Sequence, residues 1–234
     1  MGTSMLDSGF TLSGWALREF SVRETQQYCE GRRPSLLELS KDQVSNVSIK
    51  ELYKVLDPYR ESMRVAYAGT TDFIDLAGLQ FDEYLNYTSI QIAQARFLRA
   101  EFFRALVGRA SADGVIKRLR RFADLIAPMR LCIEIHRGWE SQPENIETLV
   151  YDTDFMFVID FQNLLFAELS FDLLKRILPA TRIAYFHSRN IAPYYIEHEE
   201  SVDEEATWSG VAAPTLWEPK TISKQGVIEV LGWE

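Results

Sequence analysis

The chain has 234 residues, of which 47% are hydrophobic, 25% charged and 12% aromatic, which is typical of one globular domain and excludes a disordered or fibrous chain. Lys and Arg number 25 against 34 Asp and Glu, so the formal net charge is -9 and a general nucleic-acid or anionic-membrane surface is disfavoured. No stretch approaches the ~18 consecutive apolar residues of a membrane span, and residues 1–18 lack the features of a signal peptide, so we expect a cytoplasmic location.

Short apolar segments rich in Val, Ile, Leu and aromatic residues recur along the chain, with longer amphipathic stretches between them. This alternation predicts strands and helices in turn. The predicted strands begin roughly every 25 to 35 residues, except for a longer interval before the last, which is the period of a (β/α)8 barrel. Their ranges are 10–15, 35–39, 63–68, 97–103, 131–136, 155–160, 182–187 and 226–231. We therefore predict an α/β fold, a single TIM-barrel domain over residues 1–234.

Two of the predicted helices have clear boundary signals. One follows Ser111 and ends before Pro128, and the other begins at Ser170 and ends at Pro179. Only three residues follow the eighth predicted strand, so the barrel is expected to be trimmed and to lack the helix after that strand. We expect the open flank to be covered by a partner subunit, as in a homodimer, or by the N-terminal segment.

The longest connection between predicted strands is an insertion at residues 190–225, before the eighth strand. It contains an acidic stretch at 197–205 and several Tyr and Trp residues. Connections of this length in compact domains are generally lids, binding loops or disordered segments. A lid over the mouth of the barrel is one interpretation, and a dimer contact is the other.

Four successive predicted strands each carry an ionisable residue in an apolar setting: Glu134, Asp160, His187 and Glu229. The carboxyl ends of parallel barrel strands converge on one face, and an isolated carboxylate there costs several kcal/mol unless it is paired or bound to a cation. Three carboxylates and one imidazole suit Mn²⁺, Mg²⁺, Co²⁺ or Fe²⁺ better than a closed zinc site. The pattern predicts one divalent metal ion, although each residue taken alone is more often a strand-end capping or surface residue.

This series of four residues resembles the metal quartet of the xylose isomerase-like barrel superfamily. That superfamily includes sugar-phosphate isomerases and epimerases, 3-dehydroshikimate dehydratases and abasic-site endonucleases. Its sixth strand usually reads Asp-x-x-His and its seventh His-x-Lys-Asp. The corresponding segments here are Asp160-Phe-Gln-Asn163 and His187-Ser-Arg189-Asn190, so asparagine replaces both the His and the Asp of the family pattern.

The segment Glu134-Ile-His136-Arg137-Gly138 is similar to the Glu-x-His-x-Gly segment of 3-dehydroshikimate dehydratases. The resemblance implies that Glu134 binds metal and that His136 removes the proton next to a carbonyl. A neutral imidazole with a pKa near 6.5 is a suitable base at neutral pH. We therefore predict His136, Glu134 and Glu229 as catalytic residues. A strand-end histidine bonded to a backbone carbonyl is the alternative interpretation of His136.

Substrate binding is assigned to four further side chains, because guanidinium and amide groups recognise carboxylate, phosphate and hydroxyl groups. They are Arg99, Arg137, Asn163 and Arg189. Arg99 could instead pair with Glu101 or Glu134 as part of the scaffold. Glu38, at the end of the second predicted strand, is a weaker candidate for a site-lining acid.

The leading functional hypothesis is a metal-dependent enzyme that shifts a proton next to a carbonyl of a small polyhydroxylated or cyclic substrate. Such an enzyme is an isomerase, an epimerase or a dehydratase. The two asparagine replacements and the missing last helix suggest an alternative, a catalytically degenerate barrel that acts as a binding or subunit-partner protein. An abasic-site endonuclease is disfavoured, because that activity normally uses three metals and additional histidines, whereas this acidic chain has three histidines in all.

Overall fold

The structure is a computed structural model that describes residues 10–12, 18–69, 81–107, 114–136, 138–160, 163–164 and 167–188. Side chains are described throughout these ranges except at 10–12, 32, 81–84 and 188. Four features of the sequence analysis lie outside the described residues: the predicted eighth strand with Glu229, the insertion at 190–225, Arg137 and Arg189.

Strands and helices alternate along the described chain. The strands are β1 (Phe10–Leu12), β2 (Leu36–Ser40), β3 (Arg64–Ala68), β4 (Phe102–Ala105), β5 (Arg130–Glu134), β6 (Met156–Asp160) and β7 (Ile183–Ser188). The helices are α1 (Val22–Arg32), α2 (Lys41–Asn46), α3 (Ile49–Leu56), α4 (Phe81–Phe97), α5 (Val115–Ile126), α6 (Pro143–Asp152) and α7 (Phe171–Ile177). None of these described helices has both the length and the apolar character needed to cross a membrane.

All seven strands pair in parallel in one sheet, in the order β1-β7-β6-β5-β4-β3-β2. Strand β1 pairs with β7 and also approaches β2 at the other edge, so the sheet curls round on itself. Consecutive strands from β2 to β7 are joined through helices, as parallel pairing requires. The protein thus has the (β/α)8 TIM-barrel architecture that the sequence predicts, with seven strands in its described part.

The predicted position of the fourth strand, 97–103, was wrong. Helix α4 continues to Phe97, and Arg99 then adopts a left-handed backbone conformation with a φ of 51° before β4 begins at Phe102. Apolar residues occur both at the end of the helix, at Phe97 and Leu98, and at the start of the strand, at Phe102 and Phe103, so hydrophobicity could not separate the two. The other six described strands begin within one residue of the predicted positions.

The two helices with clear boundary signals in the sequence are present. Helix α7 begins after Ser170, whose hydroxyl accepts a hydrogen bond from the backbone N–H of Leu173 at 3.2 Å. Helix α5 ends just before Pro128, and it buries the regularly spaced apolar side chains of Val115, Leu119, Phe122 and Ile126. Local capping and helical periodicity therefore determine these elements.

Buried apolar side chains form two layers, one on each face of the curled sheet. The larger layer lies between the sheet and the surrounding helices. The smaller layer fills the interior of the barrel, and its members are Leu36, Ala66, Phe102, Cys132, Met156, Val158, Ala184 and Tyr185. Because strand side chains alternate between faces, residues two positions beyond the inner apolar residues also point into the barrel, nearer its carboxyl end.

The close approach of Gly69 to Phe103 yields a stability prediction. A Cβ atom at Gly69 would lie 2.5 Å from Cε1 of the fully buried Phe103 ring. Gly69→Ala should therefore destabilise the protein by about 1–3 kcal/mol in urea unfolding, as overpacking of a core does. Gly31→Ala in α1 is the matched control, because none of the described residues lies within 4 Å of the added methyl group and alanine favours the helix. Equal stability of both variants would show that Phe103 moves aside freely.

Candidate metal centre

A layer of polar side chains lies on the inner apolar layer, toward the carboxyl ends of the strands. Each member follows an inner apolar residue by two positions, and each comes from one of the strands β2, β4, β5, β6 and β7. The five are Glu38, Arg104, Glu134, Asp160 and His187, and none is more than 6% exposed. The period-two alternation of the strands thus concentrates five ionisable groups inside the barrel.

Three of these side chains form a group that fits a divalent cation. His187 Nδ1 lies 3.3 Å from Asp160 Oδ2 and 3.4 Å from Glu134 Oε1, and one ligand atom from each residue lies within 4.8 Å of the others. Two atoms that share a cation at ~2.1 Å are roughly 3.0–4.2 Å apart. His187 Nδ1 makes no hydrogen bond within the described part of the chain, although it is buried beside two carboxylates. These are oxygen and imidazole donors of the kind that bind a cation, and both distances from His187 Nδ1 fall within that range.

The other ring nitrogen of His187 contacts Glu38. Nε2 lies 3.0 Å from Glu38 Oε2, and the same oxygen accepts hydrogen bonds from the Tyr185 hydroxyl at 2.7 Å and from Arg104 Nε at 3.1 Å. Glu38 is fully buried. The acid that the sequence analysis ranked lower is therefore at the centre of the polar layer.

Glu134 is held through both of its carboxylate oxygens. Arg104 Nη1 donates to Oε2, and Asn163 Nδ2 donates to Oε1 at 2.8 Å. The backbone N–H of Asn163 also points to Asp160 Oδ1 at 3.4 Å. Arg104 therefore bridges Glu38 and Glu134, while Asn163 connects Glu134 to Asp160.

The charges in this layer shift the pKa values of its members in opposite directions. Burial disfavours the charged form of Glu38, but the positive charges of Arg104 and His187 outweigh it and lower the pKa of Glu38 to about 2. Burial likewise opposes protonation of His187, but Glu38 and Glu134 raise its pKa well above 6.5. The pKa of Arg104 is raised by Glu134 and Glu38 against the effect of burial. Without a metal, the layer therefore contains ionised Glu38 and protonated His187 near neutral pH.

These shifts predict how the stability of the metal-free protein depends on pH. Because its pKa is lowered, Glu38 stabilises the fold at pH values above about 4.5, and this stabilisation is lost as the pH falls toward 2. Because its pKa is raised, His187 stabilises the fold at pH values below 6.5, and this stabilisation is lost as the pH rises through the pKa of His187 in the folded protein. Urea unfolding in the presence of a chelator should show both declines, and His187→Asn should flatten the alkaline one. A wild-type stability that stays constant above pH 6.5 would contradict this assignment.

The structure brings together three members of the predicted metal quartet, Glu134, Asp160 and His187. Asn163 lies against two of them and is 1% exposed. His136 is half-buried and is the second residue after Glu134, the last residue of β5. The remaining member of the quartet, Glu229, is outside the described residues.

Arg99 is not brought to this layer. It precedes the amino end of β4, and its guanidinium lies over the Tyr53 ring at 5.6 Å from the centroid. The arginine that β4 directs into the barrel is Arg104. The sequence pattern did not reveal Arg104, because β4 was predicted to begin too early. Arg104 is nevertheless the one charged residue in the run Phe-Phe-Arg-Ala-Leu-Val at 102–107. The sequence pattern also did not reveal Tyr185, whose hydroxyl contacts Glu38 from the adjacent inner layer.

Several solved structures resemble this chain. A xylose isomerase domain-containing protein from Salmonella typhimurium gives a TM-score of 0.66 at 12% identity, over 87% of this chain and 78% of that one. A probable 3-DHS dehydratase from Bacillus anthracis gives 0.67 at 14% identity, over 96% and 88%. A 3-keto-D-glucoside 4-epimerase from E. coli gives 0.61 at 12% identity, over 96% and 99%. No protein-family model and no curated protein matches the chain.

Architecture and site together define a parallel β/α barrel with a buried polar centre at the carboxyl ends of its strands, where TIM barrels carry their active sites. The structural matches show that this barrel has the xylose isomerase-like TIM-barrel fold, as the sequence analysis expected. At these identities the likeness concerns the fold, and the chemistry has to be argued from the side chains.

Proposed function

We propose that the protein is a metal-dependent enzyme that moves a proton next to a carbonyl of a small polyhydroxylated or cyclic substrate, as an isomerase, epimerase or dehydratase. The observation that carries the proposal is the convergence of Glu134, Asp160 and His187, all buried, with ligand atoms within 4.8 Å of one another. A divalent cation in this site would polarise a substrate carbonyl and acidify the adjacent C–H bond. The names of the structural neighbours, an epimerase and a dehydratase among them, agree with this class of reaction.

The residues that would hold the cation are Glu134, Asp160 and His187, with Glu229 proposed as the fourth ligand. Arg104 and Asn163 fix the two oxygens of Glu134, so Oε1 is directed toward His187. The donors are mostly oxygen, which favours Mn²⁺, Mg²⁺, Co²⁺ or Fe²⁺. A site fixed by buried hydrogen bonds needs little reorganisation to bind its ligand, and this is the property that a metal centre requires.

Proton transfer is assigned to His136. It stands two residues beyond Glu134, so the strand direction carries it from the metal ligand toward the mouth of the barrel. In its neutral form the imidazole takes the proton from the carbon next to the substrate carbonyl. Return of that proton to another position or face gives an isomer or epimer, whereas loss of a hydroxyl group as water gives the dehydrated product.

Substrate recognition is proposed for Arg137, the third residue after β5, and for Arg189, the first residue after β7. Residues that follow barrel strands belong to the loops at the catalytic face, and a guanidinium binds a carboxylate or phosphate in two-pronged fashion. We propose a small-molecule carbonyl compound as the principal partner, and a second copy of the chain as a protein partner.

The proposal is tested by exchange of substrate hydrogen with solvent. The purified protein is incubated in deuterated water with Mn²⁺ and, separately, ketohexoses, ketose phosphates and 3-dehydroshikimate. Deuterium at the carbon next to the carbonyl, dependent on the cation and abolished by a chelator, is expected for one of these compounds. The absence of exchange with every compound, together with no bound metal in the purified protein, would overturn the proposal.

A second candidate function is favoured by Arg104. Its guanidinium already provides a cation to Glu38 and Glu134, as a barrel that has lost its metal would need for a stable interior. In that case the chain is a binding or subunit-partner protein without catalysis. Elemental analysis separates the two, because the enzyme binds about one divalent ion per chain and the degenerate barrel binds none.

The role of His136 gives a direct prediction for activity. His136→Asn should keep the bound metal and lower the rate by about 10²- to 10⁴-fold, the usual effect of removing a general base. The metal content and the rate of deuterium exchange are measured on the same preparation. Loss of the metal in this variant would show instead that His136 is a ligand.

A further inference from the structure

We propose that Glu38 is a positioning residue for the metal centre, which holds the His187 ring in the tautomer that presents its Nδ1 lone pair to Glu134 and Asp160. The inference rests on the proposed metal-dependent function and adds to it a residue from β2, a strand that supplies none of the proposed ligands. Glu38 and His187 are 149 residues apart in sequence, and their contact exists only because the sheet curls.

The contact with Glu38 determines which ring nitrogen of His187 carries the proton. An ionised carboxylate can only accept hydrogen bonds, so the ring nitrogen that lies 3.0 Å from Glu38 Oε2 must carry the proton. When a cation is bound, the imidazole is neutral and has one N–H group, so Nδ1 is then the nitrogen with the lone pair. That nitrogen faces Asp160 Oδ2 at 3.3 Å and Glu134 Oε1 at 3.4 Å. A histidine ligand whose other nitrogen is fixed by a carboxylate is a recurring arrangement in metal proteins.

The carboxylate of Glu38 is itself fixed in place. Glu38 Oε2 also accepts from Arg104 Nε at 3.1 Å and from the Tyr185 hydroxyl at 2.7 Å. These donors come from β4 and β7, and all three side chains are buried. Glu38 therefore cannot turn away from His187 without breaking two other buried hydrogen bonds. Because it binds the nitrogen that faces away from Glu134 and Asp160, Glu38 acts through His187 and not as a ligand.

Substitution of Glu38 tests whether metal binding depends on the hydrogen bond that this side chain accepts from His187. Glu38→Met removes the acceptor and should weaken Mn²⁺ binding by about 10- to 100-fold in calorimetric titration, as loss of such a partner typically does. Glu38→Gln keeps an acceptor oxygen at the same place and should recover most of the affinity. Glu140→Met is the matched control, because Glu140 is also a fully buried glutamate but lies between β5 and α6. Equal weakening by Met and Gln at position 38, or none by Met, would overturn the proposal.

A measurement on the unsubstituted protein makes the test independent of whether these variants fold. The chain has three histidines, so isotope-labelled histidine gives a simple nitrogen NMR spectrum. The His187 signals are those that remain in both His136→Asn and His198→Asn. In the Zn²⁺-loaded protein we expect the proton on Nε2 and the cation on Nδ1. The opposite arrangement, with the cation on Nε2, would overturn the role of Glu38 while leaving the metal centre intact. A wild-type chain that binds neither Mn²⁺ nor Zn²⁺ would overturn the proposed function as well.

Discussion

Replacing Arg104 with methionine is expected to destabilise the metal-free protein by about 3–5 kcal/mol, as removal of one partner from a buried ion pair typically does. Arg104 is 6% exposed, and its guanidinium bonds Glu38 through Nε and Glu134 through Nη1. Without it, two buried carboxylates lose their principal counter-ion and have no access to water. Since whole domains are stable by only about 5–15 kcal/mol, this substitution removes a large share of the total.

The measurement is urea unfolding in the presence of a chelator. Arg96→Met is the matched control, because Arg96 is on the surface and, among the described residues, donates to the backbone carbonyls of Leu125 and Ala127. Its loss should cost less than about 1 kcal/mol. The cost of Arg104→Met should shrink at acid pH, because burial and Glu134 raise the pKa of Glu38 once Arg104 is gone, so the variant takes up a proton at a higher pH than the wild type does. A cost below about 1 kcal/mol at neutral pH would mean that the carboxylates do not need the arginine.

Much of the fold could be predicted from the sequence because the strands of a parallel barrel are buried on both faces. Such strands are nearly continuous apolar segments, and the start of each was visible wherever a polar stretch preceded it. The apolar character of these strands also made part of the site recognisable in the sequence. Glu134, Asp160 and His187 are ionisable residues in strands that are otherwise apolar, so their burial next to one another followed from strand order alone.

The rest of the site could not be predicted because it depends on contacts between strands that are far apart in sequence and on the exact position at which β4 begins. Arg104 was missed when an apolar helix end was taken for the start of β4. The hydrogen bond from Tyr185 to Glu38 joins residues 147 positions apart, and no local pattern signals it. Arg104 and Tyr185 matter because of what they contact, and those contacts depend on the curl of the sheet.

The other large effect is expected at Asp160. Asp160→Asn should weaken binding of Mn²⁺ by at least about a hundredfold, because it replaces a charged ligand in the three-residue group with a neutral amide. Calorimetric titration and the metal content of the purified protein measure the loss. Asp172→Asn in α7 is the matched control, because that side chain is 88% exposed and pairs only with Lys175 in the described part of the chain.

Stability separates this loss of binding from simple unfolding. The polar layer holds three carboxylates against Arg104 and His187, so without a metal it has an excess of negative charge even when His187 is protonated. Asp160→Asn removes one negative charge and keeps an oxygen that can accept from the Asn163 backbone N–H. The metal-free variant should therefore be as stable in urea as the wild type, or more stable, while its affinity for Mn²⁺ falls. A variant that is much less stable and still binds Mn²⁺ normally would show that Asp160 supports the barrel and does not bind a cation.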